Sequence, residues 1–478
     1  MDMAVLMPAG AAKDPEWRKV GEALVAKYPG EARAFTYEWH VAETLPALRK
    51  LRPRHLVLAA PPEQISRELV YDLNRLIRRF DDDPYGDCLW GIVTGYTPAD
   101  ALRLVNERAP LVVKRGLGTT GFDTGLFESA MFLSDGQDGL ITRRPPGAKA
   151  NEDEKREKND EGFAFEFQKF WEQEKPQFLV TSSHATQYNL EMPFGNGLIV
   201  SLDNKFHVLR RDQLPGFARF LGGVMFQGRE ADLESFLAKE KPPVLADASA
   251  EPKVWNGAGN CLLGDTRRSR NSMVVTALSS GGVRQLVGYT VTTWYGNMGW
   301  GSFGRFLGCR GRNTFAESFF FTNQALLDDS LRRDPKMLEV EFNDADIQAA
   351  QRNPAFAEAL QRAGLKVDKD VLGLIHDRDV VAFYGDPRWE ARIDGQAHPP
   401  ALRVTARKAA TGLELQLEAG PDYKGDGFDW FFPSVIPAPK LEDGADIDAL
   451  LTDDFLMVRK TPLKPGEKRI LRIVSGAH

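Results

Sequence analysis

Residues 55–94 read HLVLAA (His55–Ala60), PPEQISRELVYDLNRLIRRF (Pro61–Phe80), DDDPYGD (Asp81–Asp87) and CLWGIVT (Cys88–Thr94). The first and last pieces are short, nearly unbroken apolar runs, the pattern of strands covered on both faces. Between them, Pro62–Phe80 has the length and spacing of a helix. The alternation continues outward. Upstream lie a strand at Ala4–Pro8, a helix at Asp14–Tyr28, a strand at Ala32–Tyr37 and a helix at Val41–Leu51. Asp14 before Pro15 is a good helix start, an N-cap followed by Pro at the first position. Trp17, Val20, Leu24 and Val25 then share one face. Downstream come a helix at Pro98–Arg108 and a strand at Leu111–Lys114. Strands separated by helices of this length predict an α/β fold with a parallel, doubly wound sheet.

Residues 134–176 break the pattern. Pro145-Pro146-Gly147 is a breaker cluster and Asn151–Glu161 is almost wholly charged, so this segment is expected to be a solvated insertion, open to proteolysis. The α/β texture resumes at Gln177–Thr181, a strand. Leu198–Leu209 reads as a hairpin across Asp203-Asn204. Strands are expected at Val254–Leu263, Val283–Thr293 and Val380–Tyr384. Helices are expected at Ser272–Ser279, Asn313–Arg333 and Asp344–Ala363. From about Pro399, Leu402–Ala406, Leu413–Leu417 and Lys468–Val474 alternate in period two, with a helix expected only near Ile447–Leu451. Such a tail predicts a small β-sandwich. The expected units are 1–133, an N-terminal α/β part; 134–176, the insertion; 177–397, a second α/β part; and 398–478, the β-sandwich.

The chain has 478 residues, with 42% hydrophobic and 27% charged. These are ordinary values for a globular protein of about three domains. Lys plus Arg is 61, Asp plus Glu is 67 and the net charge is −6, which argues against a nucleic-acid or anionic-membrane partner. No apolar run approaches the ~18 residues of a membrane span. The start, Met1–Pro8, reads as a strand rather than a signal peptide. The expected location is cytoplasmic, or periplasmic or secreted if an export signal has been removed. There are 3 cysteines (Cys88, Cys261 and Cys309) and 7 histidines. Neither a disulfide framework, nor Cys-x-x-Cys, nor His-Glu-x-x-His is present.

Two segments carry the chemistry. Thr181-Ser182-Ser183-His184-Ala185-Thr186 and Asn260-Cys261-Leu262-Leu263-Gly264-Asp265 each stand where an expected buried strand runs out. Groups at the C-terminal ends of parallel strands gather in the crevice where ligands bind. If the two strands are neighbours, His184 and Cys261 converge. A thiol needs a base or a positive neighbour to become a thiolate near neutral pH, and histidine suits that task. The glycine after Cys261 and the helix near Ser272 leave room for backbone N–H groups to hold an oxyanion. Each residue alone also fits a structural role, an inert buried thiol and a strand-end histidine.

These residues resemble the gingipain-type cysteine peptidases, in the caspase–legumain–gingipain clan. The carriers are FLVTSSH ending at His184, VWNGAGNCLLG around Cys261, the Asp82–Asp87 loop before Cys88–Gly95, and Gly385-Asp386-Pro387 ahead of the β-rich tail. The resemblance implies a caspase-like fold of two α/β halves with an immunoglobulin-like β-sandwich behind it. It implies an endopeptidase acting on a polypeptide substrate through a thioester. His184 would be the base and acid and Cys261 the nucleophile, with the oxyanion held by the N–H of Cys261 and backbone near Ala185. No cofactor is required. The clan has Gly where this chain has Ala185, which still offers an N–H but fewer backbone conformations. It also implies an insertion near Phe206–Ala250, between His184 and Cys261.

The segment Tyr289–Gly301 follows the strand after Cys261, and the resemblance implies that it borders the substrate pocket. Trp294 and Tyr295 supply walls there, and Asp265 is the acid nearest the nucleophile in sequence. Asp82 and Asp83, beside Asp81 and with Asp87, form a candidate Ca²⁺ site built of oxygen ligands. Gly116-Leu117-Gly118-Thr119-Thr120-Gly121 matches G-x-G-x-x-G, so a nucleotide-binding enzyme is a second reading. A catalytically silent binding or scaffold relative, favoured by Ala185, is a third. Asp123-Thr124-Gly125 lacks the second copy an aspartic-peptidase pair needs. Cys88 and Cys309 are expected to be structural, and His376-Asp377-Arg378-Asp379 to be a turn.

Overall fold

The computed structural model describes residues 2–157, 162–213, 230–342, 358, 360–366, 368–409, 412–442, 444 and 446–476. Its centre is a 12-stranded sheet. In spatial order the strands are Ala32–Tyr37, Met3–Pro8, His55–Ala59, Leu89–Val93, Val381–Tyr384, Val283–Tyr289, Lys253–Gly257, Phe178–Thr181, Arg115–Gly118, Ser129–Leu133, Leu140–Arg144 and Glu152–Lys155. The fold is mixed α/β, with a mostly parallel sheet flanked by helices.

The sheet is two parallel blocks that run in opposite directions. Its first four strands pair in parallel. The five from Val283–Tyr289 to Ser129–Leu133 also pair in parallel. Between the blocks lies Val381–Tyr384, parallel to Leu89–Val93 through Tyr384 and Ile92, and antiparallel to Val283–Tyr289. The expected parallel pairing therefore holds within each block, and the direction reverses at this strand.

Leu89–Val93, Lys253–Gly257 and Val283–Tyr289 are buried throughout, the last two burying Lys253, Asn256, Arg284 and Gln285 along with their apolar residues. Helices follow their caps. Asp14 accepts from Glu16 and Trp17 at the start of Pro15–Lys27. Thr314 and Glu317 form a capping box at the start of Phe315–Arg333.

Several expected elements differ. Residues 134–176 are not an irregular insertion: Leu140–Arg144 and Glu152–Lys155 extend the sheet antiparallel at its edge, and Phe163–Glu174 is a helix. The charges sit on the edge strand Glu152–Lys155, where solvent reaches both faces. Pro62–Phe80 divides into one turn at Pro62–Gln64 and a helix at Arg67–Leu76. Leu111–Val113 leaves the large sheet to pair with Ala391–Ile393. The hairpin is present as Leu198–Leu202 and Lys205–Leu209, its turn residues Asp203 and Asn204 at φ 49° and 57°, as a two-residue turn with positive φ requires. A third strand, Asn189–Glu191, pairs with it. The helix expected over Asp344–Ala363 falls largely outside the described residues. The insertion expected over Phe206–Ala250 contains the helix Glu230–Glu240, and residues 214–229 lie outside the described set.

The tail forms two antiparallel sheets. One has 4 strands, Leu402–Ala409, Gly412–Ala419, Lys468–Ser475 and Pro439–Glu442; the other has 3, Asp426–Phe431, Phe455–Lys460 and Asp448–Leu451. Asp448–Leu451 is a strand rather than the expected helix, because it pairs with Phe455–Lys460. Leu415, Leu471, Phe428, Leu456 and Val458 form a buried cluster. Phe455 and Met457 point the other way, into the core of the α/β body. Among the described residues, no helix is long and apolar enough to cross a membrane.

Candidate functional site

Phe178–Thr181 and Lys253–Gly257 are adjacent parallel strands, with Thr181 opposite Gly257. Both run out at the same edge of the sheet, where hydrogen bonds tie their continuations together. Trp255 Nε1 donates to Thr181 Oγ1 at 2.8 Å, and Thr181 Oγ1 donates to Asn260 Oδ1. Asn260 Nδ2 donates to the Ser183 carbonyl at 2.9 Å. Gly259 permits this approach, since a Cβ there would stand 2.5 Å from Ser182 Oγ. The next residues along the two chains are His184 and Cys261. The strand expected to reach Leu263 thus ends at Gly257, and Cys261 leads a turn.

The Cys261 thiol is partly buried. Its Sγ donates to the Thr293 carbonyl at 3.8 Å and accepts the Thr293 N–H at 3.3 Å. Burial pushes the thiol pKa up, and the Thr293 N–H partly offsets this. Leu262, the next residue, has φ 60°, a conformation few side chains adopt. Gly264 then lies flat on the neighbouring strand. Its N–H donates to the Tyr289 carbonyl at 2.9 Å, and a Cβ there would be 2.3 Å from the Gly288 oxygen.

The His184 ring is exposed and makes no hydrogen bond among the described residues. Its carbonyl accepts the Glu191 N–H at 2.9 Å, and Ala185 bridges Leu190. The Ala185 and Cys261 N–H groups donate to no other described residue. The Cys261 N–H also bears on its own Sγ, where it helps to lower the thiol.

Past Thr293, Trp294 and Tyr295 stack edge to face at 5.8 Å between centroids. The Trp294 ring leans on His376, and its Nε1 is buried without a partner. Tyr295 lies over Gly373, and its hydroxyl donates to Asp370 at 3.2 Å. His376 and Asp377 are not in a turn; they end the helix Lys369–Asp377 and are buried. Thr293 and this buried pair are the neighbours that sequence reading misses. Their one signal is the Thr290–Thr293 segment following a buried strand.

Asp265 is not a pocket acid. It is 3% exposed and Arg67 clamps its Oδ2 at 2.6 and 2.9 Å, while its Oδ1 accepts the Arg267 N–H. The Gly116–Gly121 motif is not a phosphate cradle. Gly116 and Gly118 lie in a strand, where a Cβ on either would be 3.0 Å from the Phe122 ring, and only a single turn at Thr124–Leu126 follows. The glycines make room for an aromatic ring.

The acidic loop gathers Asp81, Asp83 and Asp87, whose oxygens lie within 4.8 Å of one another, whereas Asp82 is exposed and outside the group. Asp81 also groups with Asp453 and Asp454 of the tail. Burial holds the Asp83 carboxyl up at about 6 and raises that of Asp87. An all-carboxylate oxygen set suits Ca²⁺. Cys88 is fully buried, which pushes its thiol up, and Cys309 Sγ accepts from Arg312 at 3.2 Å.

Two solved structures are similar to this chain. The Arg specific cysteine proteinase gingipain R aligns over 96% of this chain and 91% of its own, at 10% identity and a TM-score of 0.42. The complex of Porphyromonas gingivalis RgpB pro- and mature domains aligns over 96% and 93%, at 11% identity and a TM-score of 0.37. No protein-family model and no curated protein matches the chain.

Proposed function

We propose that the chain is a cysteine endopeptidase with His184 as base and acid and Cys261 as nucleophile. One observation carries the reading. The Asn260–Ser183 hydrogen bond joins the residues that precede Cys261 and His184, past the ends of two adjacent parallel strands, and the N–H groups of Ala185 and Cys261 donate to no other described residue. In the reaction, Cys261 Sγ attacks a peptide carbonyl carbon and its proton passes to His184. The two N–H groups hold the carbonyl oxygen as it becomes negative. His184 then gives the proton to the leaving amine as the C–N bond breaks, leaving a thioester. Water, deprotonated by His184, attacks the thioester, and the acid leaves as the thiol is restored. The thiol and ring are not hydrogen-bonded at rest, so substrate must draw them together.

In this reading, residues 1–133 and 177–397 make a caspase-like catalytic body joined through 134–176. Residues 398–478 are an immunoglobulin-like support. Trp294 and Tyr295 wall the pocket. Ca²⁺ occupies Asp81, Asp83 and Asp87 as a structural ion. Millimolar Ca²⁺ should raise the unfolding temperature, and Asp83→Asn should remove the rise; no rise would dismiss the ion.

The test of the peptidase is Cys261→Ala, scored against a peptide library. Turnover should disappear with the unfolding transition unchanged, and full turnover in the variant would overturn the assignment. A silent binding protein is the second reading, favoured by the raised thiol and its bonds to Thr293. Alkylation rate against pH discriminates the two. Reaction of Cys261 near pH 6, abolished by His184→Ala, supports the peptidase. Reaction only above pH ~8, near the free-thiol value, supports the silent protein.

A further inference from the structure

The segment Thr290–Gly296 is a strap. It leaves the strand Val283–Tyr289, passes Cys261 and enters the helix Asn297–Gly308. One side chain ties both of its ends. Asp377 Oδ2 accepts the Tyr289 hydroxyl at 3.0 Å, just before the strap, and the Met298 N–H at 3.2 Å, just after it. The Tyr289 oxygen in turn accepts the Gly299 N–H at 3.1 Å. Gly296, the residue preceding that helix, has no side chain to cap it, so Asp377 supplies the missing acceptor from a distant element.

Asp377 is 0% exposed and His376 1%. His376 Nδ1 lies 3.3 Å from the other Asp377 oxygen, and the His376 ring backs Trp294 in the middle of the strap at 5.5 Å. Tyr295, also on the strap, feels the Asp377 charge. Arg378 turns away, to Asp379 and the Met337 and Val340 carbonyls. A buried carboxylate is costly unless its hydrogen bonds are good. Here they are spent on one short segment, whose Thr293 N–H is the group against Cys261 Sγ.

We propose that Asp377 is the positioning residue of this site: by closing both ends of the strap with one carboxylate, it holds the Thr293 N–H on the Cys261 sulfur. The inference rests on the peptidase reading for its purpose, yet its test needs no turnover. Without the strap's support the sulfur loses its donor, and the thiolate becomes harder to form.

The test is iodoacetamide alkylation of the intact chain between pH 6 and 10, thiol by thiol, with thermal unfolding measured alongside. In Asp377→Ala the Cys261 profile should move up by about one pH unit, hence about tenfold slower reaction at pH 7. The profiles of Cys88 and Cys309 should stay put. Asp377→Asn, which keeps one acceptor oxygen, should fall between. If Asp377→Ala does not fold, Tyr289→Phe removes one of the two ties and leaves that of the Met298 N–H, and its Cys261 profile should also move up, by less. A lowered unfolding temperature with an unmoved Cys261 profile would overturn the proposal and leave Asp377 a support of the fold alone. Cleavage of a peptide library by the wild-type chain is scored separately. A moved profile without cleavage sinks the peptidase reading and leaves Asp377 in place.

Discussion

Glu191 sits two strand positions from Asn189, 4% exposed, and its Oε2 is buried without a hydrogen-bond partner among the described residues. Burial pushes its pKa up to about 7, against a modest pull from Arg211. The folded chain therefore favours the protonated carboxyl. Its contribution is full below the unfolded value of ~4.3 and is lost as pH rises through about 7. Glu191→Gln should be near neutral at pH ~4 and stabilise by about 3 kcal/mol at pH 9, read by urea unfolding. An equal effect at both pH values would refute the assignment. The strands ahead of His184 and Cys261 are legible because each is a short run of mostly apolar residues, but they end at Thr181 and Gly257, a few residues before either side chain. Asp265 is misread because its partner Arg67 is a distant residue that no local pattern announces. Thr293 is missed for the same reason: it reaches the thiol through backbone atoms, which every residue carries.

At the scale of elements, existence is legible and length is not. Val254–Leu263 and Val283–Thr293 stop early, at Gly257 and Tyr289, because the chain leaves the sheet while Ala258, Asn260, Leu262, Thr290 and Val291 stay buried. Periodicity reports burial and cannot tell a strand from a partly buried strap. Caps are the clearer signal. Thr314 accepts the Glu317 N–H at 3.1 Å, and Glu317 accepts the Thr314 N–H at 2.6 Å. Thr314→Ala should cost about 1 kcal/mol of unfolding free energy, and Thr314→Ser should restore most of it. No loss in the alanine variant would mean that tertiary packing alone holds the helix. The Gly116–Gly121 pattern fails as a phosphate loop for want of the following helix, which its single-turn successor shows.

On the scale of the molecule, the tail is bolted to the body by Arg54. Its guanidinium pairs with Asp454 and donates to the Asp454 carbonyl at 2.9 Å, to that of Asp87 at 3.1 Å and to that of Phe432 at 3.1 Å. It also lies 4.0 Å from the centre of the Phe431 ring. Arg54 is 3% exposed, and its loss leaves the buried Asp454 carboxylate with Arg52 alone, at 3.2 Å. Arg54→Ala should destabilise by about 3–5 kcal/mol, and Arg54→Lys should not rescue it, since an ammonium cannot reach four acceptors. A change below 1 kcal/mol would show that the seam is held otherwise. The antiparallel strands of the tail are legible as a change of texture from about Pro399. The seam is not, because it is written in single residues far apart.

Val381–Tyr384 has a consequence for how the chain is made. It is the plank between two blocks of sheet, and the ribosome delivers it long after both. Ile92 must wait for Tyr384, its partner in register, for roughly 15–60 s at ~5–20 residues per second. Through that interval Leu89–Val93, and later Val283–Tyr289, present apolar edges with no neighbour, the arrangement that invites pairing between nascent chains on one polysome. Slow, crowded translation is thus the condition this topology tolerates least, and a holdase that shields those two edges is the help it most needs.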